Sequence, residues 1–175
     1  LAFMSSTLGL PTDEIDHWCR TLEMGCASLR NPETKHFNAI NLKSGEHTGH
    51  LTSASFLCWY AGMGDKSMLD LLKNTLQDTL YPIPSLDKNS SKFDGLRYWR
   101  GTTWPILNAL IGLGLSDMGH EKEAETIRSR TRELISRHGF AEYFDPITGI
   151  PGGGKAFSWT AAVWLAWASP SVGAK

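Results

Sequence analysis

One carboxylate, Glu142, stands in the stretch HGFAEYFDPITGIPGGGKAFSW (residues 138–159) between residues of two opposing kinds. Asp145, Pro146, Thr148 and the glycines from Gly149 to Gly154 are turn formers. Phe140, Tyr143, Phe144, Phe157 and Trp159 belong by type in a core. An acid flanked by Ala141, Tyr143 and Phe144 loses part of its water, which prepares a carboxyl group for general acid–base work. A second cluster, YWRGTTW (residues 98–104), sets Tyr98, Trp99, Arg100 and Trp104 directly before an apolar run, with Gly101 letting the chain pass close to a neighbour. Aromatic faces pack against sugar C–H groups, and a guanidinium donates paired hydrogen bonds to hydroxyls or a carboxylate. The chemistry on offer is carbohydrate binding beside one acid or base. The local sequence also allows plainer roles: a surface acid at Glu142, hydrophobic anchors at Trp99 and Trp104, and a carbonyl-capping Arg100.

Other groupings offer less. His47 and His50 beside Glu46 are two imidazoles three apart with no third placed ligand, so no metal site is expected. GIPGGGK (residues 149–155) lacks the spacing and the Lys-Ser/Thr ending of a phosphate loop, and no cofactor is implied. A net charge of −1 without a basic block argues against nucleic-acid or anionic-membrane partners. No apolar run approaches the roughly 20 residues of a membrane span, and the LAFMSSTLGL start lacks the basic segment and cleavage site of a signal peptide. Cys19 and Cys26 lie about 10.5 Å apart on one helix, too far to bridge. With Cys58 they read as three buried free thiols, which suits the cytoplasm.

The elements that must position these residues read as six helices in alternation. Thr12 caps a helix through Ser28, with Asp13 and Glu14 in its first turn. Residues 51–63 are apolar almost all round and predict a buried helix. Residues 65–80 carry Met68, Leu69, Leu72, Leu76 and Leu80 on one stripe. Residues 102–115 are again apolar all round, with Pro105 in a first turn. Residues 120–139 place Ala124, Ile127, Thr131, Leu134 and Ile135 on one side and charge on the other, with Gly139 as the stop. Residues 156–168 are apolar all round. Alternating amphipathic and buried helices predict an all-α fold of two layers, outer and inner. Connections are short at 62–66 and 116–120 and long at 31–50, 81–101 and 138–156, so all three long loops should emerge at one end. Loops of that length in a compact domain are usually functional. A faint repeat links two of them: Asn41, Ser44 and Gly45 align with Asp145, Thr148 and Gly149, which sets Asn38 opposite Glu142.

Three blocks, YWRGTTWPILNALIGLGL, HGFAEYFDPITG and GGGKAFSWTAA, resemble in order and spacing the C-terminal part of glycoside hydrolase family 63, in its bacterial glucosylglycerate and mannosylglycerate hydrolase-like branch. SASFLCWYAGMGD and PIPSLD extend the likeness over most of the chain after about residue 36. The resemblance implies that residues 1–175 are the C-terminal half of an (α/α)6 barrel catalytic domain, with its site at the end bearing the long loops. It implies an inverting glycosidase acting on a small α-glucoside or α-mannoside, such as glucosylglycerate, with two carboxyl groups roughly 6.5–9.5 Å apart. Glu142 falls on the general base, Tyr98 and Trp99 on the aromatic pair of the sugar pocket, and Arg100, Gly101 and Trp104 on its neighbours. None of Asp87, Asp94 and Asp145 matches the family's acid, which lies upstream, and Lys155-Ala156 stands where relatives often carry Gln. The chain by itself is therefore expected to be nearly inactive. A trehalase or debranching glucosidase of the same barrel, and a non-catalytic helical-hairpin binding module or degenerate remnant, are the alternatives. Half a barrel would leave residues 51–63 and 157–168 uncovered and prone to self-association.

Overall fold

The computed structural model describes residues 2–171. Its helices are α1 (Ala2–Thr7), α2 (Asp13–Ser28), α3 (Lys66–Asp78), α4 (Pro105–Asp117), α5 (Glu121–His138) and α6 (Ser158–Val163). A 3₁₀ segment covers Ser53–Cys58 and a turn of π-helix covers Trp164–Ala168. Strand among the described residues is confined to β1 (Tyr143–Phe144) and β2 (Pro151–Gly152), paired antiparallel, so the fold is all-α as expected. None of the described helices is long and apolar enough to cross a membrane.

α4 is the inner helix. Ile111 and Leu115 are fully buried, and two glycines let neighbours press against both sides. A Cβ on Gly112 would lie 2.4 Å from the Trp167 ring, and one on Gly114 2.3 Å from the Trp59 backbone. The 3₁₀ segment and the π-turn therefore flank α4 closely, and α5 covers it from outside. α5 buries the expected stripe of Ala124, Ile127, Thr131, Leu134 and Ile135 and ends at Gly139, whose φ of 81° favours glycine. Its charged side does more than meet water. Arg128 and Arg132 donate from Nε to the Trp167 and Ala168 carbonyls, each at 2.6 Å. Arg130 donates to the Leu76 carbonyl at 2.5 Å, so α5 supplies the unmet acceptors at the ends of two other helices.

Several expectations need correction. Residues 51–63 form no long helix: Thr52 and Ser55 exchange capping bonds around one 3₁₀ stretch, and Gly62 at φ 69° turns the chain away. Tyr60 is exposed in consequence. Leu80 also leaves its stripe, because α3 ends at Asp78 and Thr79 is extended. α2 forms but buries no residue; Trp18, Leu22 and Met24 face outward, and Cys19 is exposed rather than buried. The last apolar run is split into α6 and the π-turn, with Thr160, Val163, Trp167 and Ala168 inside but Trp159 and Leu165 exposed.

The three long loops do meet. Thr103 and Phe144 exchange backbone bonds of 2.8 and 3.0 Å, and the Tyr81 N–H donates to the Pro146 carbonyl at 2.9 Å. The Asp87 N–H reaches the Leu51 carbonyl at 2.9 Å, and Lys92 Nζ lies 3.3 Å from His50 Nε2. Asn108 of α4, fully buried, ties the middle loop down: its amide nitrogen donates to the Pro82 carbonyl and the Thr103 and Thr131 hydroxyls, while its oxygen accepts from the Ile83 N–H.

The faint repeat is a recurring hairpin, and there are three copies among the described residues. Asn41 Oδ1 accepts from the Lys43 N–H, and the Gly45 N–H closes onto the Asn41 carbonyl. Asp145 Oδ1 accepts from Ile147 and Thr148, and the Gly149 N–H closes onto the Asp145 carbonyl. The sequence comparison missed Asn31, which accepts from Glu33 and Thr34 in the same way, with Lys35 closing the turn.

Candidate active site

Glu142 sits just before β1, half-buried, on a segment fixed from three sides. The buried Thr160 hydroxyl of α6 donates to the Ala141 carbonyl at 2.7 Å. The Glu142 N–H donates to the Gly154 carbonyl at 2.9 Å, and Phe144 is paired with Thr103. The carboxylate is held at both oxygens: Oε1 accepts from the Tyr98 hydroxyl at 3.3 Å and Oε2 from the Gly154 N–H at 3.2 Å. Gly153 makes room for it. A Cβ there would lie 2.4 Å from Glu142 Oε2, and its φ of 69° is one that side chains disfavour.

The aromatic residues expected in a sugar pocket gather beside this carboxylate. Trp104 is 3% exposed and donates from Nε1 to the Thr102 hydroxyl at 2.9 Å. Trp99 stacks on it at 4.4 Å with an interplanar angle of 8°, and remains 51% exposed. The Tyr98 ring meets Trp99, Trp104 and Tyr143 nearly edge to face, at 5.8, 5.0 and 5.5 Å. Partial desolvation, then the negative charge of Glu142 and the hydrogen bond to it, then Tyr143, hold the Tyr98 phenol above its ordinary pKa range. Arg100 is exposed and uses Nε on the Lys92 carbonyl at 3.2 Å, the carbonyl-binding role its sequence also allowed. Gly101 is buried against the loop it crosses; a Cβ there would meet the Asp94 carbonyl at 2.7 Å.

The structure thus brings Glu142 together with Tyr98, Trp99 and Trp104, while Arg100 and Gly101 shape the loop that presents them. The three nearby aspartates are turn residues. Asp87 accepts from the Asn89 N–H, Asp94 from the Leu96 N–H, and Asp145 from its own turn. Lys155 is exposed on the glycine-rich segment. Sequence reasoning missed three contributors. Tyr143 was visible as an aromatic beside the acid; Thr160 was visible only as part of an apolar run; the Gly154 donor is backbone and has no signature of its own. A half-buried carboxylate with both oxygens hydrogen-bonded, next to an exposed indole, can accept a proton from a water while a flat ligand rests on the ring.

Residues 1–160 match the family model described as the mannosylglycerate hydrolase MGH1-like glycoside hydrolase domain. Mannosylglycerate hydrolase MGH1 of Selaginella moellendorffii is 34% identical over 173 residues, covering 95% of this chain and 36% of that protein. The mannosylglycerate hydrolase of Thermus thermophilus is 35% identical over 158 residues, covering 88% of this chain and 38% of that protein. A crystal structure of a GH63 mannosylglycerate hydrolase, also from Thermus thermophilus and in complex with glucose, is similar with a TM-score of 0.87 and 33% identity. That match covers 94% of this chain and 43% of the solved one. The chain therefore spans less than half the length of these relatives.

Proposed function

The chain belongs to the MGH1-like glycoside hydrolases of family 63, and we propose that it carries the general base of an inverting hydrolysis of a small α-mannoside or α-glucoside. The relatives named as mannosylglycerate hydrolases favour a mannosyl or glucosyl glycoside of glycerate as substrate. On this reading Glu142 takes a proton from a water whose oxygen attacks the anomeric carbon as the glycosidic C–O bond breaks. The leaving oxygen receives its proton from an acid outside residues 1–175, which form part of the barrel's catalytic domain. Trp99, backed by Trp104 and flanked by Tyr98, makes the aromatic wall of the sugar site, with Arg100 and Gly101 holding its shape.

The observation that carries the base role is the occupancy of the carboxylate. Each Glu142 oxygen accepts one hydrogen bond from the protein and keeps a second lone pair, the acceptor arrangement a base needs to take a proton from water. The test is Glu142→Gln in the protein that combines this segment with the remaining barrel helices. Hydrolysis of mannosylglycerate should fall by roughly 10²–10⁴-fold with the unfolding midpoint kept. An unchanged rate would remove Glu142 from the mechanism. The exposed Tyr60, Trp159 and Leu165 further lead us to propose that the chain by itself self-associates, a reading that a monodisperse monomer by light scattering would overturn.

A further inference from the structure

Tyr98 and Trp99 are neighbours in sequence, but the site does not use them alike. Trp99 has one face on Trp104 and stays half exposed, so its outer face is open to a ligand, while Trp104 behind it is closed off. Tyr98 is half exposed as well, but its ring meets three others edge to face, with interplanar angles of 80°, 84° and 86° to Trp99, Trp104 and Tyr143. Its hydroxyl ends 3.3 Å from Glu142 Oε1. The backbone is bent to achieve this: Tyr98 has a φ of 34°, and among the described residues Lys35 is the other non-glycine with positive φ. Such a conformation persists when its surroundings over-determine it. Here the Thr102 hydroxyl donates to the Tyr98 carbonyl, joined by the Ser85 hydroxyl at 3.5 Å.

We infer that Tyr98 is a positioning residue for Glu142, fixing one carboxylate oxygen by its hydroxyl and leaving the sugar ring to the Trp99 face already described. This rests on the reading of Glu142 as the base. Tyr98 donates to Oε1 and the Gly154 N–H to Oε2, so the two contacts set the plane of the carboxylate. The Tyr98 hydroxyl is thereby engaged on the protein, whereas the outer face of Trp99 has no such tie.

Two measurements test the division. The first follows the Tyr98 phenol by NMR of the chain labelled with ¹³C at tyrosine Cζ, with Tyr98→Phe assigning the signal. Glu142→Gln should move its titration midpoint downward, because the neighbouring negative charge is lost; an unmoved midpoint overturns the inference. The second compares steady-state kinetics on mannosylglycerate in the complete enzyme. Tyr98→Phe should lower kcat by roughly 10–100-fold, the worth of a hydrogen bond to a charged group, with KM nearly unchanged. Trp99→Ala should chiefly raise KM, by about 10-fold for a lost stacking contact. Equal increases in KM with kcat intact in both variants would overturn the inference and make Tyr98 a second platform. Undiminished hydrolysis by Glu142→Gln would instead defeat the base reading itself, whatever the phenol titration shows.

Discussion

Asn108→Ala offers a direct measure of how firmly the middle loop is tied to the helices. The side chain is fully buried and makes four hydrogen bonds, at 2.8 Å to the Pro82 carbonyl, 3.3 and 3.1 Å to the Thr103 and Thr131 hydroxyls, and 3.1 Å from the Ile83 N–H. Truncation does not orphan all four partners equally. The Pro82 carbonyl keeps the Thr103 hydroxyl, and the Thr131 hydroxyl can turn to a carbonyl one helical turn back. The Ile83 N–H has no such substitute, and an unsatisfied buried donor costs about 1–3 kcal/mol. The void and the weakened bonds add about 1–2 kcal/mol. We expect a total loss of about 2–5 kcal/mol, read from urea unfolding of the chain with the slope unchanged. Part of the loss should appear before the global transition, as a rise in hydrogen exchange at Ile83 and Ser85, whose N–H groups bond Asn108 and the Thr102 carbonyl. A loss below about 1 kcal/mol, or exchange confined to global unfolding, would refute the view that Asn108 anchors the loop.

Gly153→Ala should cost about 1–2 kcal/mol of stability for a left-handed alanine, yet abolish most activity of the complete enzyme, because its Cβ would displace the Glu142 carboxylate. Kinetics resembling the parent would place the carboxylate's working position elsewhere. Thiol labelling of the native chain should modify Cys19 readily and spare Cys58, which is buried and whose thiol is pushed up to about 12 chiefly by desolvation. Rapid labelling at Cys58 would show that the segment around it opens. Asp65 gives a pH signature. Burial disfavours its charge, but the Met68 N–H, the Ser67 hydroxyl and Arg30 at 2.7 Å outweigh that and hold its carboxyl below the usual range. A depressed acid contributes stability that is present above its unfolded pKa and lost as pH falls through the folded one. Asp65→Asn should therefore flatten the decline of stability below about pH 4; an unchanged acid limb would exclude this contact.

How much was legible depended on whether a residue's role could be read from its type. The α5 stripe from Ala124 to Ile135 was, because one-sided burial at helical spacing is a direct consequence of two layers. The stretch 51–63 was not. A segment apolar on every side has no period, so its sequence could not separate an α-helix from a 3₁₀ turn capped by Thr52 and Ser55. Arg128, Arg130 and Arg132 read as a solvated face because nothing in a charged residue's type shows that a carbonyl waits for it. The third hairpin escaped notice because Lys35 occupies, at φ 62°, the position held by Gly45 and Gly149 in the other two. At the site, the identity of Glu142 was visible, but its donor at Gly154 and the bent backbone of Tyr98 were not. Backbone N–H groups are the same in every residue, and φ is set by partners distant in sequence.

The three hairpins also separate what makes a turn from what makes a site. Each closes six residues in the same way, with bridges between Arg30 and Phe37, Ile40 and His47, and Phe144 and Pro151. The residue three before the turn Asx differs in every copy. Ser28 bonds back into its own helix at the Gly25 carbonyl. Asn38 is buried; its oxygen accepts from the Asn31 amide, and its nitrogen donates to the His50 carbonyl and lies against His36, so it joins two hairpins to each other. Glu142 is left half-open. What distinguishes the third copy is the backbone pairing of Phe144 with Thr103, which brings the 81–104 loop alongside and with it the Tyr98 hydroxyl. A turn of this kind returns the chain on itself and frees one side chain for whatever its neighbour requires. The neighbouring loop, rather than the turn, makes that side chain a candidate base. The same logic explains why Asn108 matters at a distance: it fixes the residues from Pro82 to Thr103 on which that pairing depends.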